Sequence, residues 1–503
     1  MLKGLLARKP IAQLLAATDE PSGLKRVLGV GDLVLLSIGA VIGAGIFGAI
    51  GSAAAGEFDA TGHLIRAGAG PALVISFVLL GIACALAGLC YAELSSMIPQ
   101  AGSAYAYSYA TLGELVAWII GWDLILEYAV GNVAVAISWG DYFKTLTNGL
   151  FGAPEWLMTG YRTALLSSDP AVHGLLETAP RFLGIPILIN IPAFAIVMLI
   201  TWLLLIGVKE STRVNGIMVI VKLLALGLFI AVGLGHINTA NYHPFAPHGL
   251  GGIQTGASIV FFAYIGFDAI STASEETIDP QRNMPRGILL GLAVCTVIYV
   301  VVGAVLTGMV PYDQLGVADP LAKALQLVGM NNVGKIIALG AAISMTAVLL
   351  VFQYGQPRIF FSMARDGLLP KWAAKVHGKR RVPHVTTIVT GLFVALWSLI
   401  GDAGETYNLT NIGTLFAFVL VCAGVLVLRY TDKDRPRPFR VSYVWAVAPL
   451  GAFACFWFMW GLPKDTWIRF GVWLVIGLAL YFGYGYRHST LRRGTGPVAL
   501  DQP

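Results

Sequence analysis

The chain has 503 residues, of which 57% are hydrophobic and only 12% are charged. A soluble domain carries about 25% charged residues, so this composition excludes a soluble globular protein and predicts a polytopic membrane protein. The net charge of +6 comes with no basic patch interleaved with aromatic residues, and it therefore does not indicate a nucleic-acid partner.

The cysteines and histidines offer no pattern for binding a metal ion. The five cysteines stand inside apolar stretches without a CxxC pair, and the eight histidines are scattered, mostly in predicted loops. We expect no metal site, no disulfide framework and no cofactor. The cysteines are Cys84, Cys90, Cys295, Cys422 and Cys455.

The amino-terminal segment, residues 1–28, lacks the long apolar core of a cleavable signal peptide. Within it, residues 1–17 are amphipathic, which favours a helix on the cytoplasmic membrane surface. A flexible tail fits the same pattern.

Twelve apolar segments are long enough to approach a bilayer crossing, which takes about 20 helical residues. We therefore predict an all-α membrane protein with twelve transmembrane helices, called helix 1 to helix 12. Helices 3 and 8 exceed the necessary length and must tilt or project, whereas helix 9 is the shortest. In order, the predicted helices are 31–55, 70–98, 112–144, 184–207, 214–235, 252–275, 286–310, 332–362, 384–400, 406–429, 442–462 and 468–487.

The distribution of basic residues predicts the orientation. If the amino terminus lies inside, 24 of the 33 lysines and arginines fall on the inner side, eight fall on the outer side and Lys222 lies within helix 5. A three-to-one bias predicts that both termini are cytoplasmic. The longest outer loop, 145–183, is expected to cap the outer vestibule.

The chain divides into a membrane domain and short peripheral segments. The transporter core is predicted to cover 29–429 and to consist of two halves, about 29–235 and 252–429. Helices 11 and 12 fill 442–487, and 488–503 form a cytoplasmic tail.

Helix 1 carries a cluster of glycines at positions 39, 43, 45 and 48, each costing about 1 kcal/mol against alanine in a helix. One interpretation is close helix packing through small residues. The other is a broken helix, whose second half would direct the amides around Ala44, Gly45 and Ile46 at an anionic group such as a substrate carboxylate.

Helix 6 favours the second interpretation. Gly266 and Asp268 interrupt its otherwise aromatic and aliphatic sequence. Helix 6 comes five helices after helix 1, so the two interruptions fall at corresponding positions of two five-helix halves. This correspondence indicates the binding site of an inverted-repeat transporter.

Several motifs in order resemble the amino acid–polyamine–organocation (APC) superfamily, most closely the bacterial members of its cationic amino acid transporter subgroup. They are GAVIGAGIF at 39–47, YAELSSMIPQAGSAYAYSYATLGELVAWIIGWDLILEY at 91–128, FFAYIGFDAISTASEET at 261–277 and PRIFFSMARDGLLP at 357–370. The resemblance covers about residues 25–480. It implies a five-plus-five inverted repeat of the LeuT-like type, with broken helices 1 and 6 and with helices 11 and 12 added.

The resemblance also implies where the two charged ends of an α-amino acid bind. The carboxylate would meet the helix 1 backbone at Gly43, Ala44 and Gly45. The ammonium would meet carbonyl groups of Val41, Phe262, Ala263 and Ile265. Because backbone groups bind both ends, selectivity is expected from side chains elsewhere in the pocket.

Three residues are candidates for that pocket. Glu127 and Asp268 are intramembrane carboxylates, which are functional candidates by default. Structural pairing of Glu127 and capping of the broken helix by Asp268 remain alternatives, and Asp123 is interpreted as structural. Phe352 stands where cationic-preferring relatives carry a small residue, which favours small neutral substrates such as alanine. An ordinary core or lipid-facing phenylalanine is the alternative.

Lys222 lies in the apolar run of helix 5, where a charge costs a few kcal/mol. In proton-coupled proteins resembling this one, such a lysine occupies the sodium site of sodium-coupled relatives. It would face carbonyls near Gly43 and a hydroxyl of Ser344 or Thr346. Burial favours the neutral form of a lysine, which suits reversible protonation. The alternative is a lysine that snorkels to the interface.

The sequence therefore predicts a secondary active transporter of the cytoplasmic (inner) membrane that imports L-amino acids, coupled to protons and preferring small neutral substrates, with broader or cationic specificity open. An exchanger, or a cationic amino acid or polyamine carrier, remains the alternative. The expected partners are the amino acid, protons and membrane lipid, and the oligomeric state is left open. Neither a constellation of catalytic groups nor a selectivity filter indicates an enzyme or a channel.

Overall fold

The computed structural model describes residues 5–11, 27–98, 103–147, 153–206, 212–376 and 382–494. Helices stand at all twelve predicted positions. Helix 1 consists of helix 1a (Val30–Val41) and helix 1b (Gly45–Ala55). The others are Leu73–Met97, Glu114–Thr147, Ile191–Ile206, Thr212–Leu234, Gly249–Ser271, Pro280–Met309, Asn331–Arg365, His384–Ile400, Ala403–Thr431, Val444–Trp460 and Lys464–Arg493.

Within the described part of the chain, eight helices are long and apolar enough to cross a membrane, and helix 1 makes a ninth if its two halves form one span. The other three, helices 4, 9 and 11, are apolar but shorter. The chain is therefore a multi-pass membrane protein. Large apolar side chains such as Ile217 and Leu224 are exposed on helix 5, as expected of a surface that faces lipid.

Three features depart from the sequence expectations. Helix 4 begins at Ile191, not near 184, because residues Arg181–Phe182 and Ile185–Pro186 pair as a short hairpin. A second hairpin joins Gly56–Phe58 to Leu64–Ala67 after helix 1b. An expectation of only helices therefore missed two small strand pairs. A separate helix, Ser103–Thr111, precedes helix 3.

Helix packing places the two broken helices at the centre. Helix 7 lies along helix 2 and helix 1a, and helix 8 lies along helices 3 and 5. Helix 5 also contacts helix 1a, and helix 1b contacts helix 6. A side chain of helix 5 can therefore reach the break in helix 1 and the neighbouring face of helix 8.

The amino-terminal segment packs against the ends of helices 3 and 8. Residues 7–10 are irregular, so a continuous surface helix over 1–17 is not present there, and the rest of that range lies largely outside the described residues. The Lys9 amide donates to the Tyr109 carbonyl, and the Glu114 amide donates to the Ala7 carbonyl.

Near the carboxyl terminus, the side chains of Ser489 and Arg492 bind the Glu114 carboxylate.

Candidate substrate and coupling site

Helix 1 is broken at Ile42–Ala44. Ile42 has an extended backbone (φ −77°, ψ 105°), and the two halves meet at a bend of 46°. The Gly43 carbonyl accepts from the Ile46 and Phe47 amides, so the Ile46 amide is already used. In the described part of the chain, no acceptor meets the amides of Ala44 and Gly45, which leaves them available to an anionic group.

Helix 6 is broken beside this point. Its backbone is extended at Ile265, and Gly266 has φ +107°, a conformation that favours glycine. The two breaks touch, because a β-carbon on Gly45 would lie inside contact distance of the Ala263 Cα and N atoms. Gly45 is therefore the residue that lets the two backbones meet.

Tyr299, which was not predicted from the sequence, links the two breaks. The Tyr299 hydroxyl, from helix 7, lies 2.7 Å from the Ala263 carbonyl oxygen and 3.1 Å from that of Val41. These are two of the four carbonyls expected to bind an ammonium group. The Phe262 carbonyl closes a turn by accepting from the Ile265 amide at 3.4 Å. Tyr299 is the one aromatic residue of helix 7, Pro280–Met309, and this was the available sequence signal.

Lys222 reaches the break in helix 1 from helix 5. Its side chain is fully buried, and Nζ donates to the carbonyl oxygens of Gly39 and Ile42 at 2.8 Å each. Ser344 Oγ, from helix 8, donates to the same Ile42 carbonyl at 3.0 Å. Thr346 lies apart from this cluster, because its hydroxyl donates to the Ala342 carbonyl and accepts from the Trp139 ring N–H.

Two buried carboxyl groups lie together between helices 3 and 6. Glu127 stands in a π-helical turn, Leu126–Val130, and its side chain lies beside that of Asp268. Ser103 Oγ donates to Asp268 Oδ2 at 3.2 Å. Two neighbouring buried carboxylates repel each other unless one of them is protonated or a cation lies between them. No lysine or arginine among the described residues forms an ion pair with either carboxyl group.

Asp123 lies one turn before Glu127 and is also buried. Neither of its carboxyl oxygens has a hydrogen-bond partner among the described residues. No specific contact of Asp123 with the described residues therefore supports the structural role predicted for it.

Aromatic side chains enclose the space next to the two breaks. Phe352 is 1% exposed, and its ring centroid lies 5.4 Å from that of Tyr128, so it does not face lipid. The Phe262 ring lies 4.5 Å from that of Tyr407, whose hydroxyl hydrogen-bonds with that of Ser138. These rings give the surroundings of the two breaks a largely apolar character.

The described residues hold no group of three or more histidine, cysteine or acidic side chains placed to bind a metal ion. All five cysteines are buried and free. The groups near the two breaks are therefore backbone amides and carbonyls, one lysine, hydroxyl groups and carboxyl groups.

The comparisons with known proteins decide the family. The model of a family described as amino acid permease matches residues 28–481. The chain belongs to the amino acid permease family. This confirms the resemblance to the APC superfamily, and it shows that the protein is a membrane transporter and not an enzyme.

Three proteins of known name are similar to this permease in sequence. It is 44% identical over 492 residues to the "Methylthioribose transporter" of Bacillus subtilis, covering 98% of this chain and 100% of the relative. It is 45% identical over 495 residues to the "Branched-chain amino acid permease BcaP" of the same organism, with the same coverage. It is 35% identical over 443 residues to the "Cationic amino acid transporter 4, vacuolar" of Arabidopsis thaliana, covering 86% of this chain and 68% of the relative.

Proposed function

We propose that this permease imports neutral L-amino acids, with a preference for small ones such as alanine, by proton symport. The observation that carries the coupling is the position of Lys222, whose ammonium group donates to two carbonyls at the break in helix 1. The protonated amine ties helix 5 to that break by charge-assisted hydrogen bonds. Loss of the proton weakens both bonds at once and frees helix 1 to move.

The substrate in this proposal is a zwitterion. Its carboxylate takes the amides of Ala44 and Gly45, at the positive end of helix 1b. Its ammonium takes the carbonyls of Val41 and Ala263, each of which keeps a second lone pair beside the Tyr299 hydroxyl. The carbonyl groups of Phe262 and Ile265 complete the proposed ammonium site.

A neutral side chain is favoured because aromatic rings enclose the pocket, and Phe352 narrows it. Two of the relatives also carry names with substrates that have no net charge, branched-chain amino acids and methylthioribose. A polyamine would need several acidic groups, and Glu127 and Asp268 are the pair at hand. We assign these two carboxyl groups to the polar end of the pocket, where they hold a proton or contact the ammonium through water.

The proposed topology has twelve crossings of the cytoplasmic membrane, with both termini inside. Helices 4, 9 and 11 have 16 or 17 residues and are about 25 Å long at 1.5 Å per residue, close to the thickness of the hydrocarbon core. The two five-helix halves, 29–235 and 252–429, form the inverted repeat, and 442–487 add the last two helices.

Transport in proteoliposomes tests the function. Labelled alanine uptake is measured with and without an inward proton gradient, with arginine, valine and methylthioribose as competitors. We expect the gradient to drive accumulation, valine to compete and arginine to compete poorly. Methylthioribose has neither an ammonium nor a carboxylate, so we expect it to compete poorly with a zwitterion.

Two variants separate coupling from binding. Lys222→Ala should abolish gradient-driven accumulation, whereas Thr346→Val, whose hydroxyl lies apart from the cluster, should keep it. Uptake that ignores the gradient but requires amino acid inside would make the protein an exchanger. Lys222 would then be a permanent brace between helices.

A further inference from the structure

Gly131 is a residue of helix 3 that has no side chain, and side chains of three other helices pack around it. A β-carbon built on Gly131 would lie 3.2 Å from Thr410 Cγ2, 3.5 Å from Phe352 Cε2 and 3.7 Å from Phe262 Cε2. These contacts come from helices 10, 8 and 6, and all three side chains are buried. Gly131 therefore leaves a space slightly smaller than a methyl group between the three walls, and the Thr410 methyl group would have to give way to an added carbon.

This point lies beside the proposed amino acid site. Phe262 precedes Ala263, the residue in backbone contact with Gly45. Phe352 lies one helical turn after Val348, whose Cγ2 would be 2.7 Å from a β-carbon on Gly43. Gly131 itself lies one turn after Glu127. The three walls thus extend from the two breaks and from the carboxyl pair.

The walls are held in place by contacts behind them. Thr410 Oγ1 donates to the Leu126 carbonyl at 3.1 Å, in the π-helical turn that ends directly before Gly131. Such turns occur frequently at functional sites. The Phe352 and Phe262 rings pack against Tyr128 and Tyr407. A methyl group at Gly131 would therefore displace Thr410 Cγ2 by a few tenths of an ångström while it stays in ordinary contact with the two rings.

We propose that Gly131 sets the size limit for the substrate side chain, with Thr410 and the rings of Phe262 and Phe352 as the opposing walls. This assignment rests on the proposed amino acid transport. The space accepts aliphatic side chains, and its size decides between alanine and branched ones. A methyl group added to the protein removes the volume that one methyl group of the substrate needs.

The test is competition for labelled alanine uptake in proteoliposomes by glycine, alanine, valine and isoleucine. For Gly131→Ala, we expect the inhibition constants of valine and isoleucine to rise about 10-fold or more relative to that of alanine, as one methylene decides in an apolar pocket. Thr410→Ser removes Cγ2 but keeps the hydroxyl, so it should shift the ratio in the opposite direction. Gly227→Ala in helix 5, where nothing lies within 4 Å of the added carbon, is the matched control and should leave the ratio unchanged.

The outcomes separate this inference from the proposed function. If wild-type protein takes up none of these amino acids, the proposed function fails and the inference fails with it. If wild-type protein transports them but Gly131→Ala and Thr410→Ser keep the wild-type ratio, or lose all substrates equally, only the size limit is overturned. If Gly131→Ala does not fold, the ratio measured with Thr410→Ser decides alone.

Discussion

The hydroxyl of Tyr299 lies 2.7 Å from the carbonyl oxygen of Ala263. Because the same hydroxyl is 3.1 Å from the Val41 carbonyl, one side chain of helix 7 orients acceptors on both broken helices. A tyrosine has a single O–H donor, so the two carbonyls share it and each keeps a free lone pair. Tyr299 thereby aligns the pair of acceptors for a second donor.

Tyr299→Phe should weaken substrate binding more than it slows transport. Loss of one hydrogen bond costs about 0.5–1.5 kcal/mol, so we expect KM to rise about 2- to 10-fold with little change in the maximal rate. Tyr242→Phe is the control, because its hydroxyl also donates to a backbone carbonyl, that of Ala304 at 2.8 Å, which belongs to neither broken helix. The same rise of KM in both variants would show that Tyr299 acts only through general packing.

Lys222→Arg distinguishes a proton carrier from a permanent brace. An arginine stays charged at every accessible pH and cannot release its proton. We expect this variant to exchange internal for external alanine while it loses gradient-driven accumulation. Lys222→Gln, which lacks the charge, should lose affinity as well. Full accumulation by the arginine variant, measured in the same proteoliposomes, would contradict a proton cycle at this position.

The amino-terminal segment is held by a partly buried ion pair. Lys9 Nζ lies 2.8 Å from Asp366 Oδ1, and Tyr105 donates to the other oxygen at 2.8 Å. Lys9→Ala leaves the Asp366 carboxylate without its cation, which costs about 1–3 kcal/mol. We expect hydrogen exchange at the Glu114 amide, which donates to the Ala7 carbonyl, to increase about 5-fold or more. Arg8→Ala, which removes an exposed hydrogen bond to Thr431, should change it little.

The helices could be predicted from the sequence because lipid demands long apolar runs, and the position of Lys222 could be predicted because a charge inside such a run is conspicuous. The start of helix 4 could not be predicted, since the apolar residues of 182–189 suit a hairpin as well as a helix. Tyr299 and Gly131 were missed for a related reason. Glycine is common in membrane helices and tyrosine is common near their ends, and only the folded chain shows which of these residues lie near the two breaks.

Gly45→Ala should separate the two broken helices. The added β-carbon would overlap backbone atoms of Ala263, and backbone cannot rotate away as a side chain can. Overpacking of this kind costs about 1–3 kcal/mol or more. We therefore expect lower thermal stability in detergent and loss of alanine uptake.

Gly43→Ala is the informative comparison, because its β-carbon would meet Val348 Cγ2 at 2.7 Å, the end of a side chain. The smaller residue in Gly43→Ala/Val348→Ala removes that overlap, so the double variant should regain stability that Gly43→Ala lacks. No substitution of the Ala263 side chain can do the same for Gly45→Ala, since the overlap there involves the main chain. Recovery of Gly45→Ala by Ala263→Gly would contradict the backbone contact between the two breaks.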